Sequence, residues 1–112
     1  MHEMAIARRL VAEALARSDG GRRLTDVEVV LSSATGLSGE SVRQHFGLAA
    51  RGTAAEDAAV RITWEPGRYW CLDCTCEFSS PMPGGGTCPR CGGGVLSLDR
   101  EEQAYVRTIG TG

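Results

Sequence analysis

Four cysteines form two C-x2-C pairs in the C-terminal half of the chain: Cys71 with Cys74, and Cys88 with Cys91. Thirteen residues separate the two pairs, a spacing typical of a tetrahedral structural zinc site. Within each pair, a turn lets two sulfurs converge on one ion while backbone N–H groups point at them. We therefore predict a four-cysteine zinc site, with two disulfides or a thioredoxin-like redox pair as the alternative interpretations.

A fifth cysteine, Cys76, lies two residues after the first pair. It can be a spare thiol on the turn, a replacement for Cys71 or Cys74 as a ligand, or a thiol that responds to oxidants. Because the C-x2-C spacing favours Cys71 and Cys74, Cys76 stays outside the predicted ligand set.

The start of the sequence, Met1-His2-Glu3, offers a second set of metal ligands. A free α-amine, the backbone nitrogen and imidazole of His2, and the backbone nitrogen of Glu3 can form a planar all-nitrogen set. Such a set favours Ni(II) or Cu(II). Binding would release protons, so the affinity should weaken as the pH falls. Any chain that begins with Met-His offers these groups, so an ordinary N-terminus is the alternative interpretation.

The composition excludes several classes of function. The net charge of −2 argues against bulk electrostatic binding to nucleic acid or to an anionic membrane. All twelve basic residues are arginine, so neither Schiff-base catalysis by lysine nor a P-loop is available. The sequence also lacks a catalytic triad and an open zinc ligand set, and we predict that the protein is not an enzyme.

Nothing in the sequence predicts a membrane or secretory segment. There is no apolar run of about 18 residues that would span a bilayer. The apolar residues near the N-terminus are interrupted by Arg8, Arg9 and Glu13, unlike a secretory signal. We therefore expect a cytoplasmic location, where free thiols bind metal more often than they form disulfides.

The periodicity of apolar residues predicts an α+β fold. Two helices, at 4–17 and 39–51, would pack on a small mostly antiparallel or mixed sheet, with Ser38 capping the second helix. Val106 and Ile109 would return the chain to that sheet. The predicted strands are at 25–32, 60–65, 95–98 and 103–109.

We predict two structural units within this fold. Residues 1–67 and 98–112 would form the main α+β domain, and residues 68–97 an inserted zinc-ribbon lobe with four cysteine ligands. Between the cysteine pairs the chain is rich in Gly, Pro and Ser and too poor in apolar residues to fold alone. Zinc binding would therefore supply the free energy that orders this lobe.

The opening residues Met-His-Glu-Met-Ala-Ile-Ala, followed by Leu10-Val11, resemble the start of the HypA/HybF family of hydrogenase-maturation nickel chaperones. The resemblance covers nearly the whole chain, and its most specific part is the Met-His-Glu start combined with two C-x2-C pairs. Further similarities are Gly36-Leu37-Ser38-Gly39, Phe46, Gly52-Thr53, the strand leading into Pro66, and both cysteine pairs in order.

The resemblance implies a small nickel-binding domain with an inserted zinc finger. It implies delivery of Ni(II) to a [NiFe]-hydrogenase large subunit with a maturation GTPase as partner, and sometimes delivery to urease. The nickel ligands of the family correspond to the Met1 amine, His2 and the Glu3 backbone in this sequence. Glu40 is a weaker candidate near that site. Zinc falls on Cys71, Cys74, Cys88 and Cys91. We expect a monomer or a weak homodimer.

Some residues depart from the family pattern: Ser32-Ser33-Ala34-Thr35, the glycine runs at 84–86 and 92–94, and Cys76. These departures leave the client enzyme open. The alternative functions are a zinc-ribbon module that binds nucleic acid or a transcription protein, and a rubredoxin-like electron carrier with iron bound by the four cysteines. The acidic balance of the chain disfavours the nucleic-acid alternative.

Overall fold

The computed structural model describes residues 2–82, 85–98 and 104–112, and side chains from Glu3 onward. Met1 and the side chain of His2, both predicted nickel ligands, lie outside this description. The described elements confirm the predicted α+β fold. They are α1 (His2–Ala16), β1 (Leu24–Ser32), α2 (Gly39–Ala49), β2 (Ala59–Glu65), β3 (Gly67–Cys71), β4 (Glu77–Ser80), β5 (Val95–Ser97) and β6 (Tyr105–Thr111).

The first sheet, which we call the main sheet, has the strand order β2-β1-β6. Strands β1 and β2 are parallel because α2 crosses over between them, whereas β6 runs antiparallel to β1. Val106 pairs with Val29 and Ile109 with Val27, so the chain returns to this sheet as predicted. The sheet is therefore mixed.

The hydrophobic core lies between the two helices and one face of the main sheet. Val27, Val29 and Leu31 alternate along β1 and are fully buried, as the sequence pattern indicates. Leu10 from α1 and Phe46 from α2 pack into the same cluster. The hydroxyl of Ser38 accepts the backbone N–H of Ser41, which confirms its role as the N-cap of α2.

The opposite face of the main sheet is polar and is organised around Glu28. The carboxylate of Glu28 accepts hydrogen bonds from the hydroxyls of Thr63, at 2.7 Å, and Thr108, at 3.1 Å. The guanidinium of Arg107 lies 3.4 Å from the same carboxylate. The Thr63 hydrogen bond is the largest cause that lowers the pKa of Glu28 below its ordinary value of 4.5.

The second sheet, the knuckle sheet, has the order β4-β3-β5 and is antiparallel throughout. Strands β3 and β4 were not predicted from the sequence. Tyr69 of β3 is fully buried and stacks on Phe78 of β4, with 5.7 Å between the ring centroids. A Cβ atom on Gly85 would lie 2.6 Å from the Tyr69 ring, so only glycine allows this approach. The division of the chain into two domains at residues 67 and 98 stays a prediction.

Ser33, directly after β1, joins the two sheets. Its hydroxyl accepts the Gly67 N–H at 2.8 Å, donates to the Ser80 carbonyl at 2.7 Å, and lies 3.2 Å from the Tyr69 hydroxyl. A Cβ on Gly67 would come within 2.4 Å of the Ala34 Cβ, so the backbones meet without an intervening side chain. The segment that departs from the family pattern therefore forms the junction between the sheets.

Candidate metal centre

The four paired cysteines converge at the end of the knuckle sheet. Their Sγ atoms all lie within 4.8 Å of one another. The Cys71–Cys91 sulfur distance is 3.5 Å and the Cys74–Cys88 distance is 3.6 Å. In a tetrahedral site with Zn–S bonds of about 2.3 Å, neighbouring sulfurs are about 3.8 Å apart. The cluster therefore fits a structural zinc ion, while the assignment of these four residues as its ligands stays a prediction.

The two turns that carry the cysteines, which we call the first and second knuckle, share one backbone pattern. The N–H of Cys71 donates to the carbonyl of Cys76 at 2.9 Å, and the N–H of Cys88 donates to the carbonyl of Gly93 at 3.2 Å. The carbonyl of each leading cysteine also accepts an N–H from four residues later, Thr75 or Gly92. The two knuckles thus share both of these backbone hydrogen bonds.

Residues 75 and 92 occupy the same left-handed conformation in the two knuckles, with φ of 53° and 72°. Gly92 adopts this conformation at no steric cost, whereas Thr75 is β-branched and rarely does so. In the described residues, Thr75 is the only non-glycine residue with positive φ. The first knuckle is therefore the more strained of the two.

Backbone N–H groups point at the sulfurs, as the cysteine spacing predicts. The N–H of Cys74 lies 3.4 Å from the Cys71 Sγ, and the N–H of Arg90 lies 3.4 Å from the Cys88 Sγ. The N–H groups of Arg90 and Cys91 lower the pKa of the Cys88 thiol to about 6. This favours the thiolate, the form that binds metal.

Burial divides the sulfurs into two kinds. Cys71 and Cys88, which lead the knuckles, are buried, whereas Cys74 and Cys91 are exposed. All five cysteines are free thiols, so the structure does not support the disulfide interpretation. The cluster therefore has a buried half, in which Cys71 belongs to β3, and a half that faces solvent.

Cys76 lies beside the cluster but outside the group of four. Its Sγ is 3.0 Å from the Sγ of Cys74. The Cys76 thiol is the largest cause that raises the pKa of Cys74. The sequence contains a signal for this contact, since the two knuckles read C-x2-C-T-C and C-x2-C-G-G, but only the shared backbone pattern makes residues 76 and 93 equivalent.

The described part of the predicted nickel site is the first turn of α1, which begins at His2. The first four N–H groups of an α-helix have no acceptor within the helix. The backbone nitrogen of Glu3 is therefore not committed to the helical hydrogen bonds, and its side chain is half-buried. Glu40 is exposed in the first turn of α2. Its proposed link with nickel stays a prediction.

Comparison with protein families gives a match over almost the entire chain. The model of the family described as "Hydrogenase/urease nickel incorporation, metallochaperone, hypA" matches residues 1–111.

Neither of the two α-helices in the described part of the chain has the length and apolar character needed to cross a membrane.

Similar proteins carry the same family name. A hydrogenase maturation factor HypA from Chlorobaculum tepidum is 35% identical over 112 residues, covering 97% of each chain. The protein of that name from Geotalea daltonii is 34% identical over 110 residues, again covering 97% of each chain. These likenesses extend over nearly the full length of both relatives.

A solved structure has a similar backbone. The solution structure of the Ni metallochaperone HypA from Helicobacter pylori has a TM-score of 0.62, covering 97% of this chain and 96% of that one. Its sequence identity is 18%, so this similarity supports the fold alone.

Proposed function

Because the chain belongs to the HypA family of hydrogenase and urease nickel-incorporation metallochaperones, we propose that it binds Ni(II) at its N-terminus and delivers the ion. The client is a [NiFe]-hydrogenase during its maturation, or another nickel enzyme such as urease. The family match over residues 1–111 is the observation that carries this proposal.

The proposed nickel ligands are the α-amine of Met1, the backbone nitrogen and imidazole of His2, and the backbone nitrogen of Glu3. The start of α1 at His2 supports this set, because amides in a first helical turn have no competing helical acceptor. The positive end of the helix dipole also favours deprotonation of these amides.

The start of α1 also suits an ion that must be handed on. Ile6 and Leu10 pack into the hydrophobic core and anchor α1 close to its first turn. Ligands at a chain terminus are reached by a partner more easily than ligands in a cleft. A nickel ion bound at this end of the helix would therefore be open to transfer.

The proposed zinc ligands are Cys71, Cys74, Cys88 and Cys91. The mutual sulfur distances below 4.8 Å and the N–H groups that point at the sulfurs support a closed, structural site. Four protein thiolates leave no open coordination position, and the ion supplies folding free energy. We assign no catalytic step to the protein.

The proposed partners are a hydrogenase-maturation GTPase and the large subunit of the nickel enzyme, in the cytoplasm. The chain would act as a monomer or a weak homodimer. Nucleic acid and membrane are not among the proposed partners, in keeping with the net charge of −2.

Calorimetric titration with Ni(II) tests the terminal site. Untagged protein is compared with a variant carrying two extra residues before Met1, and with a matched control carrying the same residues after Gly112. We expect the N-terminal extension to weaken nickel binding by about tenfold or more, equivalent to about 1.4 kcal/mol, and the C-terminal one to have no effect. Equal affinities for all three proteins would refute the proposed site.

A further inference from the structure

The extra thiol of the first knuckle lies at a position that carries no side chain in the second. Cys76 and Gly93 are equivalent, because each carbonyl accepts the N–H of the leading cysteine of its knuckle. A Cβ at Gly93 would lie 2.1 Å from the Asp73 carboxylate, so no side chain fits there without movement. Only the first knuckle therefore presents a third thiol to the cluster.

The sulfurs of Cys74 and Cys76 compete for one corner of the cluster. Their separation of 3.0 Å is shorter than the distance of about 3.8 Å between two ligands of one tetrahedral zinc ion. The Cys74 sulfur is also 3.6 Å from that of Cys88, as expected for neighbouring ligands. The Cys76 sulfur therefore lies beside the Cys74 sulfur but outside the group of four that are mutually within 4.8 Å, so it has to move inward to become a ligand.

The contacts of the two thiols make exchange between them feasible. Cys74 is exposed, whereas Cys76 is half-buried and its carbonyl accepts the backbone N–H of Cys71 at 2.9 Å. The buried anchors, Cys71 and Cys88, need not move when the fourth ligand changes. The left-handed Thr75 lies between the two cysteines, whose sulfurs are 3.0 Å apart.

We propose that Cys76 is an alternative zinc ligand that takes the place of Cys74, so that the site has two ligand sets sharing Cys71, Cys88 and Cys91. This inference rests on the zinc site of the proposed function. In the exchange, the Cys76 sulfur binds as thiolate and its proton passes to the departing Cys74 thiolate. The number of thiolates and the charge of the site are unchanged, and nothing is oxidised or reduced.

Cobalt(II) substitution tests the proposal, because the intensity of sulfur-to-cobalt charge-transfer absorption rises with the number of bound thiolates. The variants are C74A, C76A and the double variant C74A/C76A, with C71A as the matched control at a buried anchor. We expect C74A and C76A each to bind one cobalt ion with the four-thiolate spectrum of the unmodified protein. The double variant should show a three-thiolate spectrum.

Zinc affinity gives a second readout. In competition with a chromogenic chelator, the zinc affinities of C74A and C76A should lie within about tenfold of that of the unmodified protein. The zinc affinities of C71A and of the double variant should be lower than this range. If C74A loses its metal as C71A does, or has the spectrum of the double variant, the proposal is overturned. If the unmodified protein binds neither zinc nor cobalt, the zinc site of the proposed function itself is wrong, and this inference with it.

Discussion

The main sheet and the knuckle sheet each have three strands, yet they gain stability from different sources. The main sheet buries β1 and the faces of two helices in one apolar cluster. Each fully buried aliphatic or aromatic side chain there contributes about 1.5–3 kcal/mol. The knuckle sheet has Tyr69 as its large buried side chain, while Leu72 and Leu96 remain exposed.

This difference shows that the stability of a sheet can be spread over many side chains or concentrated in one cluster. In the main sheet the stability is shared among many buried side chains. In the knuckle sheet the cysteine cluster closes both turns, and the metal it would bind carries most of the stability. We therefore expect the two sheets to respond differently to the same perturbation.

Removal of zinc should give the largest difference in response between the two sheets. Structural zinc sites contribute an apparent binding free energy of about 10–16 kcal/mol, and we expect the knuckle sheet to unfold without it. Trp70 lies in β3 and Trp64 in β2, so the variants W64F and W70F each leave one fluorescent reporter, in the knuckle and main sheet respectively. Chelation should change the Trp70 emission and leave the Trp64 emission nearly unchanged.

The C88A variant serves as a control for chelation, because it removes a buried, proposed zinc ligand without adding a reagent. It should reproduce the chelated emission of both single-tryptophan proteins. An equal response of Trp64 and Trp70 to chelation would show that the two sheets share one source of stability.

The substitution Phe46→Ala tests the distributed core of the main sheet. Phe46 is 1% exposed, and its truncation should lower the free energy of unfolding by about 3–5 kcal/mol. Urea denaturation followed through Trp64 in the W70F background measures this loss. The matched substitution Leu72→Ala, at an exposed position of the first knuckle, should change the free energy of unfolding by no more than about 0.5 kcal/mol. A similar loss for both variants would contradict the proposed location of the core.

The substitution Ser33→Ala tests how firmly the two sheets are joined. It removes the acceptor of the Gly67 N–H and the donor to the Ser80 carbonyl. Buried groups left without partners cost about 1–3 kcal/mol, and we expect the unfolding transitions reported by Trp64 and Trp70 to move apart. Ser79→Ala, on the exposed neighbour of Ser80, is the control. Coincident transitions in the Ser33 variant would show that the junction does not depend on this hydroxyl.

The smallest effect is expected from acid acting on the polar face of the main sheet. Because the folded pKa of Glu28 lies below its ordinary value of 4.5, the folded state binds fewer protons than the unfolded state. The resulting stabilisation is complete above about pH 4.5 and is lost as the pH falls through the lower, folded pKa. Glu28→Gln should flatten this part of the stability profile.

Thermal unfolding measured between pH 3 and pH 6 gives that profile. Glu56→Gln, at an exposed position outside the sheets, is the control and should retain the acid dependence. An unchanged profile for Glu28→Gln would mean that the contacts of Glu28 with Thr63 and Thr108 do not stabilise the sheet.

The difference between the main sheet and the knuckle sheet also explains how much of the fold could be predicted from the sequence. The alternation of Val27, Val29 and Leu31 indicates a strand and its buried face, because burial in the main sheet follows side-chain periodicity. The convergence of the four paired cysteines follows from their spacing. Strands β3 and β4 escape prediction because their pairing depends on the turn that the cysteines close.

Two further features depend on contacts between segments far apart in the sequence. Val30 lies on the polar side of the β1 pattern but is fully buried, where Thr63 and Tyr105 flank it in the sheet. The junction at Ser33 likewise needs Gly67 and Ser80 to be brought together. No local pattern in the sequence encodes either contact.

Thr75 bears on the order in which the metal site assembles. In an unfolded chain, glycine visits positive φ about as readily as negative φ, whereas a β-branched residue seldom does. The second knuckle, with Gly92, should therefore reach its closed form more often and capture the ion first, and the first knuckle should close around an ion already held by Cys88 and Cys91. Cys74 and Cys76 then compete only at the final step, when one ligand position remains to be filled.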